Sequence, residues 1–346
     1  FLVFLAAFIK GIDEYQDFLR CTVASAGNDH RLGAHEAPPA IVSIFLGDEL
    51  TSVVESIING TDYTNPEKSL MRIGVDVLPA IPKDTTDRNR TSPLAFTGNK
   101  FELRMLGSSQ SIAGPNIALN TIMAEELSKF ADALEQAEDF DTTLQKLVCQ
   151  ALTEHQRIIF NGNGYSEEWK AEAAKRGLSN LHSTATALPQ YISDKNISLV
   201  TKRGIFTKEE FLARHEIHLE AYKKIIQIEA RTSIDMVLHQ ILPAAAAYSA
   251  NLCNGIIAKK AVGVSCEAET DLINRLTEAT NALYKTCQTL TSALAQVPSN
   301  LEEAVEYCAD VIVKYMNVMR NHADILEQLT DKNIWPYPTY SDLLYY

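Results

Sequence analysis

The sequence lacks any Cys-x-x-Cys pair, and its six cysteines are scattered along 346 residues. A disulfide framework is not expected in a chain of this size, and the pattern is typical of reduced thiols packed on helices. We therefore predict a cytoplasmic protein.

The start of the sequence also lacks an apolar run long enough to cross a bilayer. The run FLVFLAAFI is followed at once by Lys10 and has no basic flank before it. It is therefore neither a membrane helix nor a clear signal peptide, and we expect a buried helix and no membrane partner. Because the sequence starts inside this helix, at Phe1, we expect the chain to be part of a longer protein.

Basic residues are scarce beside acidic ones: 31 Lys and Arg against 44 Asp and Glu give a net charge of −13. An acidic surface repels phosphate backbones, so no nucleic-acid partner is expected for the chain as a whole. The 46% hydrophobic and 22% charged residues are ordinary for a soluble globular protein, and the length suffices for two domains.

The first 125 residues predict a mixture of helices and short strands. Residues 1–20 fit a helix, and residues 41–60 combine a short apolar run with a helical period. KFELRML alternates apolar and polar residues, so that Phe101 and Leu103 share one face of a predicted strand. The stretch beginning GPNIALN predicts a helix that starts near its proline.

From about residue 125 the pattern becomes that of long helices, as expected beyond a domain boundary. The predicted helices cover 125–160, 165–176, 207–252 with a bend near Pro243, 265–296 and 300–330. We predict a linker over 162–189, a strand-like run in SLVTKRGIF, and an aromatic tail docked against the body. The sequence thus predicts an α+β fold with two domains, 1–125 and a mainly helical 126–346.

Three short regions concentrate charged side chains in the first 110 residues. They carry Arg31 and Glu36; Lys83, Arg88 and Arg90; and Lys100, Glu102 and Arg104. Arginine forks bind carboxylate and phosphate oxygens, and a glutamate among them suits a divalent cation. If the regions converge, they could bind an anionic substrate and a nucleotide phosphate. The alternative is that each region is a solvated surface segment.

Four motifs, GNDHRLGAHEAPPAI, KDTTDRNRTSP, GNKFELRM and SIAGPN, resemble glutamine synthetase in nature and order, and most of all its long type III branch. The resemblance covers roughly residues 1–130, and the remainder resembles the helical C-terminal part of type III enzymes. It implies that residues 1–125 are the C-terminal part of the catalytic domain, with antiparallel strands and packed helices. The chain would be the C-terminal half of the enzyme and inactive alone.

The resemblance implies catalytic and substrate-binding roles for four residues. Arg31 and Arg104 would bind the substrate glutamate. Glu36, on a mobile flap, would shield γ-glutamyl phosphate from water and help to remove a proton from ammonium, and Arg90 would face the transferred phosphoryl group. A flap agrees with the sequence, since Gly33 supplies freedom and Pro38–Pro39 stiffen one hinge.

The resemblance also implies ATP and Mg²⁺ or Mn²⁺ as cofactors. Arg90 and Lys100 would lie at the nucleotide phosphates, and Glu102 would bind metal. The implied reaction joins ammonium to glutamate through γ-glutamyl phosphate, in hexameric rings that stack as a dodecamer. Arginines and cations suit this chemistry, because phosphoryl transfer to a carboxylate brings several negative oxygens together.

The sequence departs from the family pattern at several points. The spacing from Arg31 to Glu36 is shorter than usual, Ala95 replaces a further arginine, and most family metal ligands lie upstream of the motifs found here. Two alternatives therefore stay open: a related glutamate–amine ligase, and a non-catalytic, glutamine-synthetase-like interaction protein. HEIH, with His215 and His218, is interpreted as a surface helix rather than a metal site, and FNGNGYS as a loop.

Overall fold

A computed structural model of the chain describes residues 1–34, 37–63, 70–71, 81–82 and 91–345. These residues are mostly helical and include a small sheet. They form two compact units, Phe1–His218 and Leu219–Tyr346. The predicted domain division at residue 125 stays a prediction.

The first unit contains most of the short elements. From the N-terminus to the last strand, the elements are α1 (Leu2–Glu14), α2 (Gln16–Cys21), α3 (Ala26–Asp29), β1 (Ile44–Phe45), α4 (Asp48–Asn59), β2 (Leu70–Met71), β3 (Ile81–Pro82), β4 (Leu94–Phe96) and β5 (Phe101–Leu103). The helices that follow are α5 (Ala113–Glu135), α6 (Phe140–His155), α7 (Glu167–Lys175), α8 (Thr184–Tyr191) and α9 (Asp194–Lys202). The predicted N-terminal helix is thus observed, with a break at Tyr15 between α1 and α2.

The sheet that carries the KFELRM motif has the strand order β1-β4-β5. Strand β4 pairs with β5 in antiparallel register, Ala95 opposite Glu102, while β1 pairs with β4 in parallel. The hairpin turns at Gly98, whose φ of 95° favours glycine, and the Thr97 N–H donates to the Lys100 carbonyl over 2.9 Å. The predicted strand at Phe101 is therefore confirmed, but the antiparallel expectation was wrong for one of the two pairings.

The core of the first unit forms where α1 packs against α5 and α6. Gly11 faces α5 so closely that a Cβ there would lie 2.6 Å from Cγ2 of Ile122. Next to this contact, the buried carboxylate of Glu126 forms ion pairs with Lys10 and Lys129, each over 2.5 Å. The helical region after residue 113 and the N-terminal helices therefore share one core.

Three predictions in the helical region were wrong. The helix expected over 125–160 is interrupted, because the Asp139 side chain accepts a hydrogen bond from the Thr142 N–H and starts a new helix, α6. The expected linker contains α7, which matches the helix predicted over 165–176, but also the unpredicted helix α8, which is started by a capping box between Ser183 and Thr186. The strand-like run near Leu199 is part of helix α9, which buries that side chain.

The second unit is a helical bundle. Its helices are α10 (Lys208–Met236), which begins in the first unit, α11 (Leu242–Ala261), α12 (Glu267–Leu294), α13 (Leu301–Tyr307), α14 (Val313–Leu329) and α15 (Tyr340–Leu344). The predicted helical period of α12 is confirmed, since Leu276, Ala279 and Leu283 are buried. Helix α12 packs against α11 and α14.

The long helix Lys208–Ala261 widens into a π turn at Val237–Ile241. Pro243 lies two residues after this turn and lacks the N–H that would bond to the His239 carbonyl, which accounts for the irregularity where a bend was predicted. By length and composition this helix could cross a membrane. A core helix of a soluble protein passes the same test, so it supports no membrane assignment.

The aromatic tail follows the prediction in part. Trp335 is buried, and the Tyr340 N–H donates to the Glu327 carboxylate over 2.8 Å. Leu344 and Tyr345 are exposed. Docking therefore applies to the start of the tail and not to its end.

Candidate functional site

The motif GNDHRLG folds as the short helix α3 and the turn after it. The Ser25 side chain accepts a hydrogen bond from the Asn28 N–H and starts the helix. Asn28 is buried, and its amide donates to the carbonyls of Val23 and Met105 over 2.8 and 2.9 Å. This side chain therefore ties the motif to the end of strand β5.

Arg31 lies against the same strand end. Its Nη1 donates to the Met105 carbonyl over 2.9 Å, and its Nη2 donates to the Arg104 carbonyl over 3.1 Å. The first and third charged regions thus meet, which is the condition that the sequence left open. The guanidinium fork is engaged with backbone oxygens, so Arg31 also holds the two segments together.

Glu102 lies between two cations at the edge of the sheet. Its carboxylate accepts a hydrogen bond from Arg104 over 3.2 Å and lies 3.4 Å from the Lys100 ammonium. The hydrogen bond from Arg104 holds the pKa of Glu102 below its ordinary value, and Lys100 makes a smaller contribution in the same direction. The carboxylate therefore stays ionised at neutral pH, as a metal ligand must be.

A complete metal site does not form from the described ranges alone. Within 1–34, 37–63 and 91–345 no group of three or more His, Cys, Asp or Glu side chains could hold a metal ion. Glu102 is instead neutralised by Arg104 and Lys100. A divalent cation there would need further ligands and would have to compete with these two basic side chains.

The predicted flap is described at its base. Gly33 has a φ of 77°, a conformation that favours glycine, and its N–H donates to the Pro38 carbonyl over 3.0 Å. Pro38 and Pro39 are buried. The two ends of this loop are thus joined by a backbone hydrogen bond. His35 and the predicted catalytic Glu36 lie outside the described residues, and so does the whole second region, with Lys83, Arg88 and Arg90.

Sequence reasoning missed the role of Asp29. Its carboxylate accepts hydrogen bonds from the backbone and the side chain of Thr184, at the start of helix α8, and lies 3.6 Å from the buried guanidinium of Arg20. The capping pattern around Ser183 could have located the start of the helix. No local signal pairs it with Asp29.

The secondary candidates also have structural roles. His215, expected on a surface helix, is buried and stacks on Tyr191, and burial lowers the pKa of its neighbour His218. FNGNGYS is a loop, as predicted. The side-chain Oδ1 of Asn161 in this loop accepts hydrogen bonds from the N–H groups of Leu46 and Gly47.

A family model described as "Glutamine synthetase C-terminal domain" matches residues 143–260. The chain is 40% identical to the type-3 glutamine synthetase of Dictyostelium discoideum over 356 aligned residues, which cover 100% of this chain and 48% of that protein. It is 39% identical to a glutamine synthetase of Butyrivibrio fibrisolvens and 36% identical to one of Bacteroides fragilis. Both alignments cover 100% of this chain, and respectively 50% and 49% of the relative. The chain spans about half the length of the curated relatives it matches.

Proposed function

Because the chain belongs to the glutamine synthetase family and matches the C-terminal half of its type 3 members, we propose that the protein containing it joins ammonium to L-glutamate with ATP. The product is L-glutamine, formed through γ-glutamyl phosphate. The protein works in the cytoplasm and assembles into hexameric rings, stacked as a dodecamer. Residues 1–125 contribute to its catalytic domain, and residues 126–346 are a helical extension.

The observation that carries this proposal is the similarity to named glutamine synthetases along the whole chain. The geometry supports it, because Arg31 reaches the backbone of Arg104 and so brings two of the motifs to one place. In the proposal these two arginines bind substrate glutamate. Guanidinium groups suit this task, since they bind carboxylate oxygens and each carries five N–H donors. Arg31 would use the donors that its bonds to the Arg104 and Met105 carbonyls leave over.

The reaction also needs water to be excluded, because acyl phosphates hydrolyse. We assign this task to the flap, in which Glu36 shields the γ-glutamyl phosphate from water and helps to remove a proton from ammonium. The hydrogen bond between Gly33 and Pro38 supports a loop that moves on a closed base. Arg90 faces the transferred phosphoryl group and offsets its charge.

The nucleotide and metal assignments depend on the KFELRM hairpin. Lys100 is 65% exposed and free to reach an ATP phosphate at the cost of a weak surface ion pair with Glu102. Glu102 would supply one oxygen ligand to Mg²⁺ or Mn²⁺ in place of its contacts with Arg104 and Lys100, and the bound cation would offset phosphate charge. The remaining ligands come from outside the described residues.

The proposal is tested by measuring phosphate release from ATP by the complete protein with glutamate, with and without ammonium. Release that requires both substrates, with formation of glutamine, is the expected result. Release with an alkylamine but not with ammonium would identify the related ligase. ATP binding without release would identify a non-catalytic interaction protein. Turnover should be abolished by Glu36→Ala and by Arg90→Ala, and near-normal rates in either would refute these assignments.

Lys100→Ala gives a sharper test of the nucleotide assignment. We expect the KM for ATP to rise about tenfold, the factor for one lost interaction of about 1.4 kcal/mol, and the KM for glutamate to stay unchanged. The matched control is Lys170→Ala, because Lys170 is also exposed and paired with one glutamate, Glu167. Equal kinetics for the two variants would contradict a role for Lys100.

A further inference from the structure

Helix α8 is hydrogen-bonded to the GNDHRLG motif through one carboxylate, that of Asp29. The Thr184 N–H lies 2.9 and 2.8 Å from the two oxygens of Asp29, and the Thr184 hydroxyl donates to Oδ1 over 2.8 Å. Thr184 is the first residue of α8, where unpaired N–H groups and the helix dipole favour a negative charge. Asp29 therefore joins two segments that are 155 positions apart along the chain.

Arg20 strengthens this junction. Its side chain is 1% exposed, and its Nε donates to the Leu181 carbonyl over 2.9 Å, just before α8. Its Nη2 lies 3.6 Å from Oδ1 of Asp29. A buried guanidinium is costly without a counter-charge, and Asp29 supplies that charge. The Asp29 carboxylate thus interacts with Thr184 of α8 and with Arg20 of α2. The junction thus includes the end of α2, helix α3 and the start of α8.

The opposite side of the same short segment is bound to the sheet. Asn28, the neighbour of Asp29, donates to the Met105 carbonyl, and Arg31 donates to the carbonyls of Arg104 and Met105. The four residues from Asn28 to Arg31 are thus held both by the chain just after β5, at Arg104 and Met105, and by α8. Removing the α8 side would leave Arg31 held by the strand end alone.

We propose that Asp29 is a positioning residue for the glutamate site, through which helix α8 holds Arg31 and the base of the flap in place. The inference rests on the proposed function, in which Arg31 binds glutamate. It gives this part of the helical region a task in the reaction: α8 restrains the segment on which substrate binding depends. Asp29 acts through Arg31 and does not contact substrate.

The test compares Asp29→Ala with Asp17→Ala in the complete protein. Asp17 is a matched control, because it is also a largely buried aspartate that binds a residue of the helical region, Lys195, over 2.8 Å. It lies at the other end of α2, away from the segment with Arg31. We expect Asp29→Ala to raise the KM for glutamate about tenfold or more and to leave the KM for ATP unchanged. Asp17→Ala should change neither value.

Two milder variants keep the test decisive if Asp29→Ala does not fold. Asp29→Asn retains an oxygen that can accept from the Thr184 N–H, and Thr184→Val removes the hydroxyl bond alone. Both should raise the KM for glutamate by less than Asp29→Ala, in the same direction. The proposal would be overturned if any of these variants had the circular dichroism of a folded protein and an unchanged KM for glutamate. Equal rises in Asp29→Ala and Asp17→Ala would overturn it too, since they would indicate a general loss of structure.

Hydrogen exchange separates this inference from the proposed function. Asp29→Ala should speed amide exchange in residues 28–33, whereas Asp17→Ala should not. If the wild-type protein shows no glutamate-dependent turnover, the proposed function fails, and the exchange measurement still decides whether Asp29 holds the segment. Unchanged exchange in Asp29→Ala would refute the positioning role.

Discussion

Replacement of Gly11 by alanine tests the helix contact at the centre of the first unit. An alanine Cβ would lie 2.6 Å from Cγ2 of Ile122 and 3.1 Å from Cγ of Glu126, both on α5. The first distance is shorter than real Cβ contacts allow. Ile122 is fully buried, so its side chain has little room to turn away. Helices α1 and α5 would have to move apart, or the ion pairs of Glu126 would have to shift.

The expected magnitude combines two opposing terms. Alanine favours a helix interior over glycine by about 0.5–1 kcal/mol. Overpacking a filled core costs about 1–3 kcal/mol, and any shift of the buried Glu126 carboxylate away from Lys10 and Lys129 adds to this cost. We therefore expect Gly11→Ala to lower the free energy of unfolding by about 1–2 kcal/mol.

The matched control is Gly27→Ala in helix α3. A Cβ at Gly27 would meet no heavy atom within 4 Å, so only the backbone term remains and stability should stay level or rise slightly. The assay is urea unfolding followed by tryptophan fluorescence. The chain has two tryptophans, one in each unit, and a Trp335→Phe background leaves the buried Trp169 to report the unit that contains both glycines.

The outcome that would refute this reasoning is equal stability of the two variants. If the free energies of unfolding of Gly11→Ala and Gly27→Ala differed by less than about 0.5 kcal/mol, the difference would fall inside the usual scatter of surface substitutions. Helix α1 would then not approach α5 as closely as the structure has it. The ion pairs built on that approach would need to be reassigned as well.

Two further predictions concern titration and thiol chemistry. Burial raises the pKa of Glu14, but hydrogen bonds and charge from Lys10 and Lys129 outweigh it and lower the pKa from 4.5 to about 2. This carboxylate therefore stabilises the fold above pH 4.5 and loses that effect as the pH falls towards 2. Glu14→Gln should lower the free energy of unfolding at pH 7, and unfolding measured at a series of pH values should show its difference from wild type shrinking below pH 4.5. A difference that does not change with pH would contradict this prediction. Cys253 is exposed on α11, whereas burial raises the pKa of Cys21, so a thiol reagent should label Cys253 rapidly and Cys21 only after unfolding. Cys253→Ser should remove the fastest labelling phase, and a fast phase that persists would show that the exposure is wrong.

The helical parts of the fold were predictable where the apolar period is long. Helix α12 covers Glu267–Leu294 against a predicted 265–296, because its buried leucines recur at helical spacing over many turns. Short elements were predictable only in part: α7 (Glu167–Lys175) and strand β5 match predictions, whereas α8 and α9 do not. Helices α8 and α9 each have fewer than three turns, and β-branched and glycine residues around them are equally compatible with strands and linkers.

The candidate site was predictable in its residues and only partly in its connections. The order of the motifs indicated the family, and the similarity along the whole of this chain confirmed it. The convergence of Arg31 with the Glu102–Arg104 strand followed from the resemblance. The engagement of the Arg31 fork with backbone carbonyls did not, because backbone oxygens carry no mark in the sequence.

The sequence by itself determined the faces of the long helices, the turn glycine Gly33 and the family to which the chain belongs. These features depend on residue types at fixed short spacings, where backbone geometry alone sets which side chains are neighbours. The tertiary structure decided which segments meet: Arg31 with the end of β5, 73 positions away, and Asp29 with α8, 155 positions away. Contacts at such separations arise only when the shared core brings distant helices together, so no local pattern contains them.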